Sequence, residues 1–229
     1  MEHTVKAFDE ELNRLHSAID QMGKRAAAQF ELALAALKEC DVGFAAKIVE
    51  GDDEIDQLQH VVDQRVITLL ALRAPVADDL RLTVSALKIA GDLERIGDYA
   101  VNIAKRSIVL RECPAMRSAP SLTRVGRVAL RLLIDVLDAY RDDDADKAVT
   151  VWMGDREVDE LYATLFRELL TYMMEDPRSI ATCAHLLFIA KHIERVGDLA
   201  TNIGEMVHYK VTGRSIDGLR PKGEPAVAE

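Results

Sequence analysis

The chain has 229 residues, with 29 Lys and Arg against 39 Asp and Glu, so its formal charge is −10. This length holds one large domain or two small ones, and 49% hydrophobic residues are enough for a core, which excludes disorder of the whole chain. An acidic chain without clustered Lys and Arg cannot neutralise nucleic-acid phosphates through bulk charge, so no nucleic-acid partner is expected. Aromatic residues are only 5%, while Ala, Leu, Val, Asp and Glu abound, a composition that suits helices packed by aliphatic side chains.

The prolines at 75, 114, 120, 177, 221 and 225 all fall where a helical pattern breaks. Between the breaks, apolar residues recur at three- and four-residue spacing, as in Leu12, Leu15, Ile19 and Met22, and again in Leu58, Val61, Val62, Val66 and Leu69. The spacing predicts six helices over roughly 4–39, 44–73, 78–111, 121–140, 145–174 and 178–211, with Asp41 and Asp144 as candidate helix caps. From Gly213 the tail GRSIDGLRPKGEPAVAE has no periodicity and reads as a disordered segment outside the fold. The N-terminal MEHTVKAFDEEL has no apolar signal-peptide core. Val66 to Leu72, the longest strongly apolar stretch, falls well short of the ~20 residues a membrane span needs, leaving only peripheral membrane contact. Cys40, Cys113 and Cys183 are too scattered for a disulfide framework or a thiolate zinc site, which fits a reducing cytoplasm.

The chain also repeats itself. Residues 87–103, LKIAGDLERIGDYAVNI, match 187–203, LFIAKHIERVGDLATNI, at ten of seventeen positions. A second block, GDDEIDQL at 51–58, matches GDREVDEL at 154–161. Two tandem three-helix units follow, residues 1–113 and 120–212, with the boundary near Cys113–Pro120 and the tail at 213–229.

Both blocks carry acids four residues apart: Asp52/Asp56 and Glu94/Asp98 in the first unit, Asp155/Asp159 and Glu194/Asp198 in the second. Such pairs sit one turn apart on one helix face and destabilise a helix by roughly 0.2–0.5 kcal/mol each. In each unit one pair lies on the second helix and one on the third, so two neighbouring helices can bring four carboxylates together. Oxygen-only clusters suit hard cations such as Mg, Mn or Ca, and bridging carboxylates also hold multinuclear Fe or Zn. Removing the eight acids would change the charge from −10 to −2. A single ExxxD pair is usually a solvated helix face, and Arg95 and Arg195 stand ready to neutralise the glutamates. Repetition across both units favours metal binding over that simpler account. Gly97 and Gly197, mid-helix where Gly costs ~1 kcal/mol against Ala, suggest close backbone approach beside the acids.

Other features weigh less. Glu205 and His208 form one ExxH, whereas carboxylate-bridged di-iron bundles need two. His192 reads as a solvent-facing residue, and Trp152, Tyr162, Phe166 and Tyr172 as core. No P-loop, nucleophile elbow, HExxH or dinucleotide fingerprint occurs.

KAFDEELNRL (6–15), Met22-Gly23, RAPVADDLRL (73–82), LERIGDYAVNI (93–103), TYMMEDPRSI (171–180) and IERVGDLATNI (193–203) together resemble the PhoU family over about residues 4–211. The resemblance implies an all-α fold of two three-helix bundles related by pseudo-twofold symmetry. It further implies multinuclear metal clusters, carried by position onto Asp52, Asp56, Glu94 and Asp98 and onto Asp155, Asp159, Glu194 and Asp198; the motifs do not choose among Mg, Mn, Fe and Zn. The implied role is a non-enzymatic cytoplasmic regulator at the inner face of the membrane. It would link a phosphate ABC transporter ATPase to a sensor histidine kinase and repress the starvation response when phosphate is plentiful. A homodimer suits such long bundles, although no pattern fixes its face. Two rivals remain from the residues: a carboxylate-bridged metal hydrolase or oxidase, and a plain helical scaffold whose acids are paired with Arg.

Overall fold

The computed structural model describes residues 2–39, 42–110, 120–218, 220 and 223. Among them the fold is built from helices: α1 (Glu2–Glu39), α2 (Val42–Arg73), α3 (Ala77–Val109), α4 (Pro120–Asp142), α5 (Ala145–Met153), α6 (Asp155–Glu175) and α7 (Ile180–Thr212). A 3-10 turn at Pro177–Ser179 leads into α7. No described helix is long and apolar enough to cross a membrane.

Apolar periodicity sets the packing. On α1 the buried side chains are Leu15, Ile19, Met22, Ala26, Phe30, Ala33 and Leu37, one stripe at three- and four-residue steps. On α2 the described buried side chains include Ile48, Ile55, Val62, Val66 and Leu69. α1, α2 and α3 pack against one another, and α4, α5 and α6 pack around α7. The two units join where α3 lies along α7 and where α1 meets α4, so a single apolar core runs through both.

The ends of the helices follow local chemistry. Asp144 caps α5, its carboxylate accepting from the Lys147 N–H at 2.9 Å, as its position in the sequence suggests. Asp176 accepts from the Arg178 N–H at 3.0 Å, and Pro177 opens the turn that follows. Gly213 closes α7 with φ +70°, the left-handed conformation that favours Gly. The candidate cap Asp41 and the unit boundary near Cys113 lie outside the described residues.

One expectation needs correction. The helix read over 145–174 is two helices, α5 and α6, divided at Gly154. A Cβ there would lie 2.5 Å from Leu132 Cδ2 on α4, so the break lets α4 press against the junction. As a result Asp155 opens α6, where the helix dipole favours negative charge.

The repeat has a structural signature beyond the matching blocks. Arg25 on α1 pairs with Glu54 on α2, and Arg131 on α4 pairs with Glu157 on α6 at 2.7 Å. Glu54 and Glu157 hold the same place in the matching GDDEIDQL and GDREVDEL blocks, so α1–α2 and α4–α6 are equivalent pairs. Between the units, the His16 and Tyr140 rings stack with centroids 4.7 Å apart. The Arg106 guanidinium lies 4.2 Å from the centre of the Phe188 ring.

Close packing of the third helices on their neighbours depends on glycine. A Cβ at position 97 would lie 3.0 Å from Ile55 Cδ1 on α2, and one at position 197 would lie 3.1 Å from Val158 Cγ1 on α6. Gly91, by contrast, has no such neighbour within 4 Å. Gly91→Ala is therefore expected to raise unfolding stability by up to about 1 kcal/mol through helix propensity. Gly197→Val should lower it by about 1–3 kcal/mol through overpacking. Denaturant melts of the two variants beside the parent check both signs.

Candidate metal centres

The two acid quartets occupy equivalent places on the fold. Asp52 and Asp56 lie on α2 facing Glu94 and Asp98 on α3, while Asp155 and Asp159 on α6 face Glu194 and Asp198 on α7. The glycine contacts set their approach: Asp52 Oδ1 would stand 3.3 Å from a Cβ on Gly97. The apolar seam beside the first quartet, Ala90, Leu93, Gly97, Ala100 and Ala104, is buried, which puts the acids at the margin of the core.

Their charges act on one another. In the first quartet, burial raises the Asp52 carboxyl above the ordinary range, and the Asp56 and Asp98 charges push the same way while a Gln29 hydrogen bond opposes them. Glu94 is raised by burial, then by Asp98 and Asp56, with Arg95 opposing and Asp52 adding to the rise. In the second quartet, burial raises Asp155 against the lowering effect of Arg220, with Asp159 and Asp198 adding to the rise. Burial also raises Glu194, with Lys191 opposing and Asp198 and Asp159 reinforcing. These cross-helix effects show that the carboxylates of each quartet lie near enough to act on one another.

The two quartets differ in depth and partners. Asp56 and Asp98 are exposed, and Asp52 and Glu94 half-buried. Asp155 is 1% exposed and Glu194 9%, so the second quartet lies deeper. In the first, the buried Gln29 on α1 donates Nε2–H to Asp52 Oδ1 at 3.2 Å. Arg95 forms its ion pair with Asp92 at 3.8 Å rather than with Glu94. Burial pushes Asp92 up to about 6 against Arg95 and Lys88.

In the second quartet, Lys191 Nζ reaches Glu194 Oε1 at 2.7 Å. Arg220 from the tail places Nε 2.8 Å from Asp155 Oδ2 and Nη2 3.0 Å from Asp198 Oδ1. Glu194 Oε2 is nevertheless buried without a hydrogen-bond donor. Buried carboxylate oxygens in that condition cost free energy unless a cation or donor meets them.

Several expectations are revised by this geometry. The tail does not lie wholly outside the fold, since Arg220 and Gly223 seat on α6 and α7. An ion pair needs no apolar periodicity, so the pattern that marks helices passes over it. His192 is half-buried and stacks on Tyr99 of α3, with ring centroids 5.3 Å apart, rather than facing solvent. Trp152 is buried, but Tyr172 is exposed, because it lies on the outer face of α6. The ExxH residues serve as structural partners: Glu205 accepts from Trp152 Nε1 at 2.8 Å, and His208 Nδ1 lies 3.0 Å from the Arg214 carbonyl.

Sequence reading passed over Gln29, Lys191 and Arg220. Lys191 three residues before Glu194 is a helix-spacing signal open to detection. Gln29 and Arg220 reach their acids only through tertiary folding.

The donors are hard oxygens, and one of them, Glu194 Oε2, is buried without a partner in the second quartet, which is the chemistry a divalent or trivalent cation takes. Among the described residues, no three His, Cys, Asp or Glu side chains stand close enough together to hold a metal ion as they are. Asp52, Asp56, Glu94 and Asp98 would hold one cation group, and Asp155, Asp159, Glu194 and Asp198 the other.

Comparison with known proteins bears on the same residues. A profile of the PhoU domain matches residues 19–107 and 122–207, one copy for each unit. The phosphate-specific transport system accessory protein PhoU homolog of Caulobacter vibrioides is 47% identical over 222 residues, covering 96% of each chain. That of Zymomonas mobilis is 46% identical, covering 99% of this chain and 95% of its own. The crystal structure of PhoU from Pseudomonas aeruginosa superposes with a TM-score of 0.84 at 38% identity, over 90% of this chain and 100% of that one. The phosphate transport system regulatory protein PhoU from Streptococcus pneumoniae gives a TM-score of 0.84 at 33% identity, over 92% and 99%. With both of its repeated units matched and full-length relatives at this identity, the chain belongs to the PhoU family.

Proposed function

We propose that this protein is a cytoplasmic, metal-binding adaptor of phosphate uptake. It links the phosphate ABC transporter ATPase to a sensor histidine kinase and represses the phosphate-starvation response when phosphate is plentiful. The observation that carries the metal part is the pair of cross-helix acid quartets, whose carboxyls are raised by burial and by one another. The transport part is supported by the relatives, which are named as accessory proteins of the phosphate-specific transport system. Those names are of accessory and regulatory proteins, which favours an adaptor over an enzyme.

A bound cation would supply positive charge that offsets the carboxylate repulsion and clamps the second helix of each unit to the third. The chain's own residues do the rest. Gly97 and Gly197 let the helices approach, Gln29 orients Asp52, and the opening of α6 turns its dipole toward Asp155. The rigid outer faces of the two units are then available to partner proteins. The scaffold reading draws its support from the second quartet, where Lys191 and Arg220 supply protein cations. Among the described residues the first quartet has no ion pair of this kind, only the more distant charges of Lys105 and Arg95, so chelation distinguishes the readings.

Carboxyls raised in the folded state hold protons that the unfolded chain has released. The stability they contribute is present below the ordinary values of 3.8 and 4.5 and is lost as pH rises through the raised folded values. Chelator-treated wild type should therefore lose more stability between pH 4 and pH 7 than a variant with all eight acids changed to Asn or Gln. Saturating Mn²⁺ should raise the wild-type melting temperature at pH 7 and leave the variant unmoved. Melting curves across that range, with and without Mn²⁺, check both.

In a strain lacking this gene, a phosphate-starvation reporter should be active in rich phosphate. Wild type should silence it, and the eightfold variant should not. A reporter silenced equally by both, with the variant present at equal abundance, would remove the metal from the regulatory role.

A further inference from the structure

The second acid quartet already contains a cation, and it comes from the chain itself. Arg220 lies eight residues past the end of α7 at Thr212 and places its guanidinium between α6 and α7. Nε stands 2.8 Å from Asp155 Oδ2. Nη2 donates to Asp198 Oδ1 at 3.0 Å and to the Asp198 carbonyl at 3.2 Å. Nη1 donates to Asn202 Oδ1 at 3.1 Å, one helical turn beyond Asp198.

Three residues later the Gly223 N–H donates to Asp159 Oδ2 at 3.0 Å. This seat is shaped to glycine, because a Cβ at 223 would lie 2.5 Å from Asp159 Cβ and 2.9 Å from the Glu160 nitrogen. The tail thus meets Asp155, Asp159 and Asp198, while Lys191 holds Glu194. The Arg220 side chain is only 17% exposed, so the guanidinium has given up most of its water to sit there. Among the described residues, no tail residue reaches the first quartet, where Asp52 accepts from the neutral amide of Gln29.

From this geometry we infer that the C-terminal tail is an internal competitor for the second quartet. Arg220 occupies it as a stand-in cation, and a divalent metal enters by displacing the tail. This rests on the metal reading above. The competition is one of charge and space: a guanidinium spanning Asp155 and Asp198 withdraws two carboxylates from any metal, and Gly223 withdraws a third. Glu194 Oε2, buried and left without a donor, shows that the guanidinium satisfies the cluster incompletely. A metal able to bind that oxygen together with the aspartates has a reason to displace it.

Two consequences follow. The quartets fill in order, the first before the second, although their acids match by repeat. Metal occupancy at the second quartet is also written onto the tail, which is docked without metal and released with it. The second unit therefore presents two different surfaces to a partner.

The test uses the full chain with Mn²⁺ alone as the probe, in a Glu94→Gln/Asp98→Asn background so that only the second quartet reports. A tail docked for more than nine-tenths of the time weakens Mn²⁺ binding by about tenfold or more, since only the open fraction is competent. Arg220→Gln and Gly223→Val should each tighten Mn²⁺ by that factor, and Arg220→Lys, which keeps a cation, should tighten it less. In the chain with only the background changes, Mn²⁺ should accelerate hydrogen exchange over residues 214–223.

Equal Mn²⁺ affinity in the parent and Arg220→Gln, or tail exchange that Mn²⁺ leaves unchanged, would overturn the competition while leaving metal binding intact. No Mn²⁺ bound by the parent or by Arg220→Gln would overturn the metal reading of the second quartet and this inference together.

Discussion

Carboxylates held one turn apart on each of two adjoining helices repel one another along and across the helices, and every other feature of the site answers that repulsion. Glycine at 97 and 197 lets the helices come close enough for the charges to interact. Burial at the edge of the core strips away the water that would otherwise screen them. Such an arrangement is unfavourable unless positive charge is present, and the chain supplies it unequally. The first quartet receives the neutral amide of Gln29 and only the distant charges of Lys105 and Arg95; the second receives Lys191, Arg220 and the start of α6. Two units built from one repeated pattern have in this way become different sites.

That difference grows from the connections rather than from the repeated motifs. The matching blocks place the acids on equivalent faces, and the Arg25–Glu54 and Arg131–Glu157 pairs tie equivalent helices together. The break at Gly154 converts the second copy's Asp155 from a mid-helix residue into the first residue of α6. The tail exists only after the second copy, so only that copy can be approached by Arg220. Symmetry of the pattern and asymmetry of its surroundings together yield one shallow quartet and one deep one.

Much of this was legible in the residues because helices write their packing as a period. The stripe from Leu15 to Leu37 is readable on α1, and the repeat at an offset of 100 brings Glu94/Asp98 and Glu194/Asp198 into view without any structure. Asp144 was legible as a cap because its chemistry is local. What escaped were contacts between residues distant in sequence. The split at Gly154 depends on Leu132 pressing from α4, and His192 turns inward because Tyr99 of the other unit offers a ring to stack on. Arg220 sits in a stretch with no period at all, and its partners lie 22 and 65 residues away. Periodicity reports burial, and a guanidinium seeking carboxylates leaves no trace in it.

The claim on which the rest depends is that metal cations offset the repulsion in the acid quartets. The most direct measurement is metal content by elemental mass spectrometry. Untagged wild type, purified in metal-replete buffer without chelator, would be compared with a Glu94→Gln/Asp98→Asn/Glu194→Gln/Asp198→Asn variant. The account predicts metal retained by the wild type and lost from a folded variant. Wild type free of metal, or a variant that keeps the same content, would contradict it and leave the acids as ordinary ion pairs.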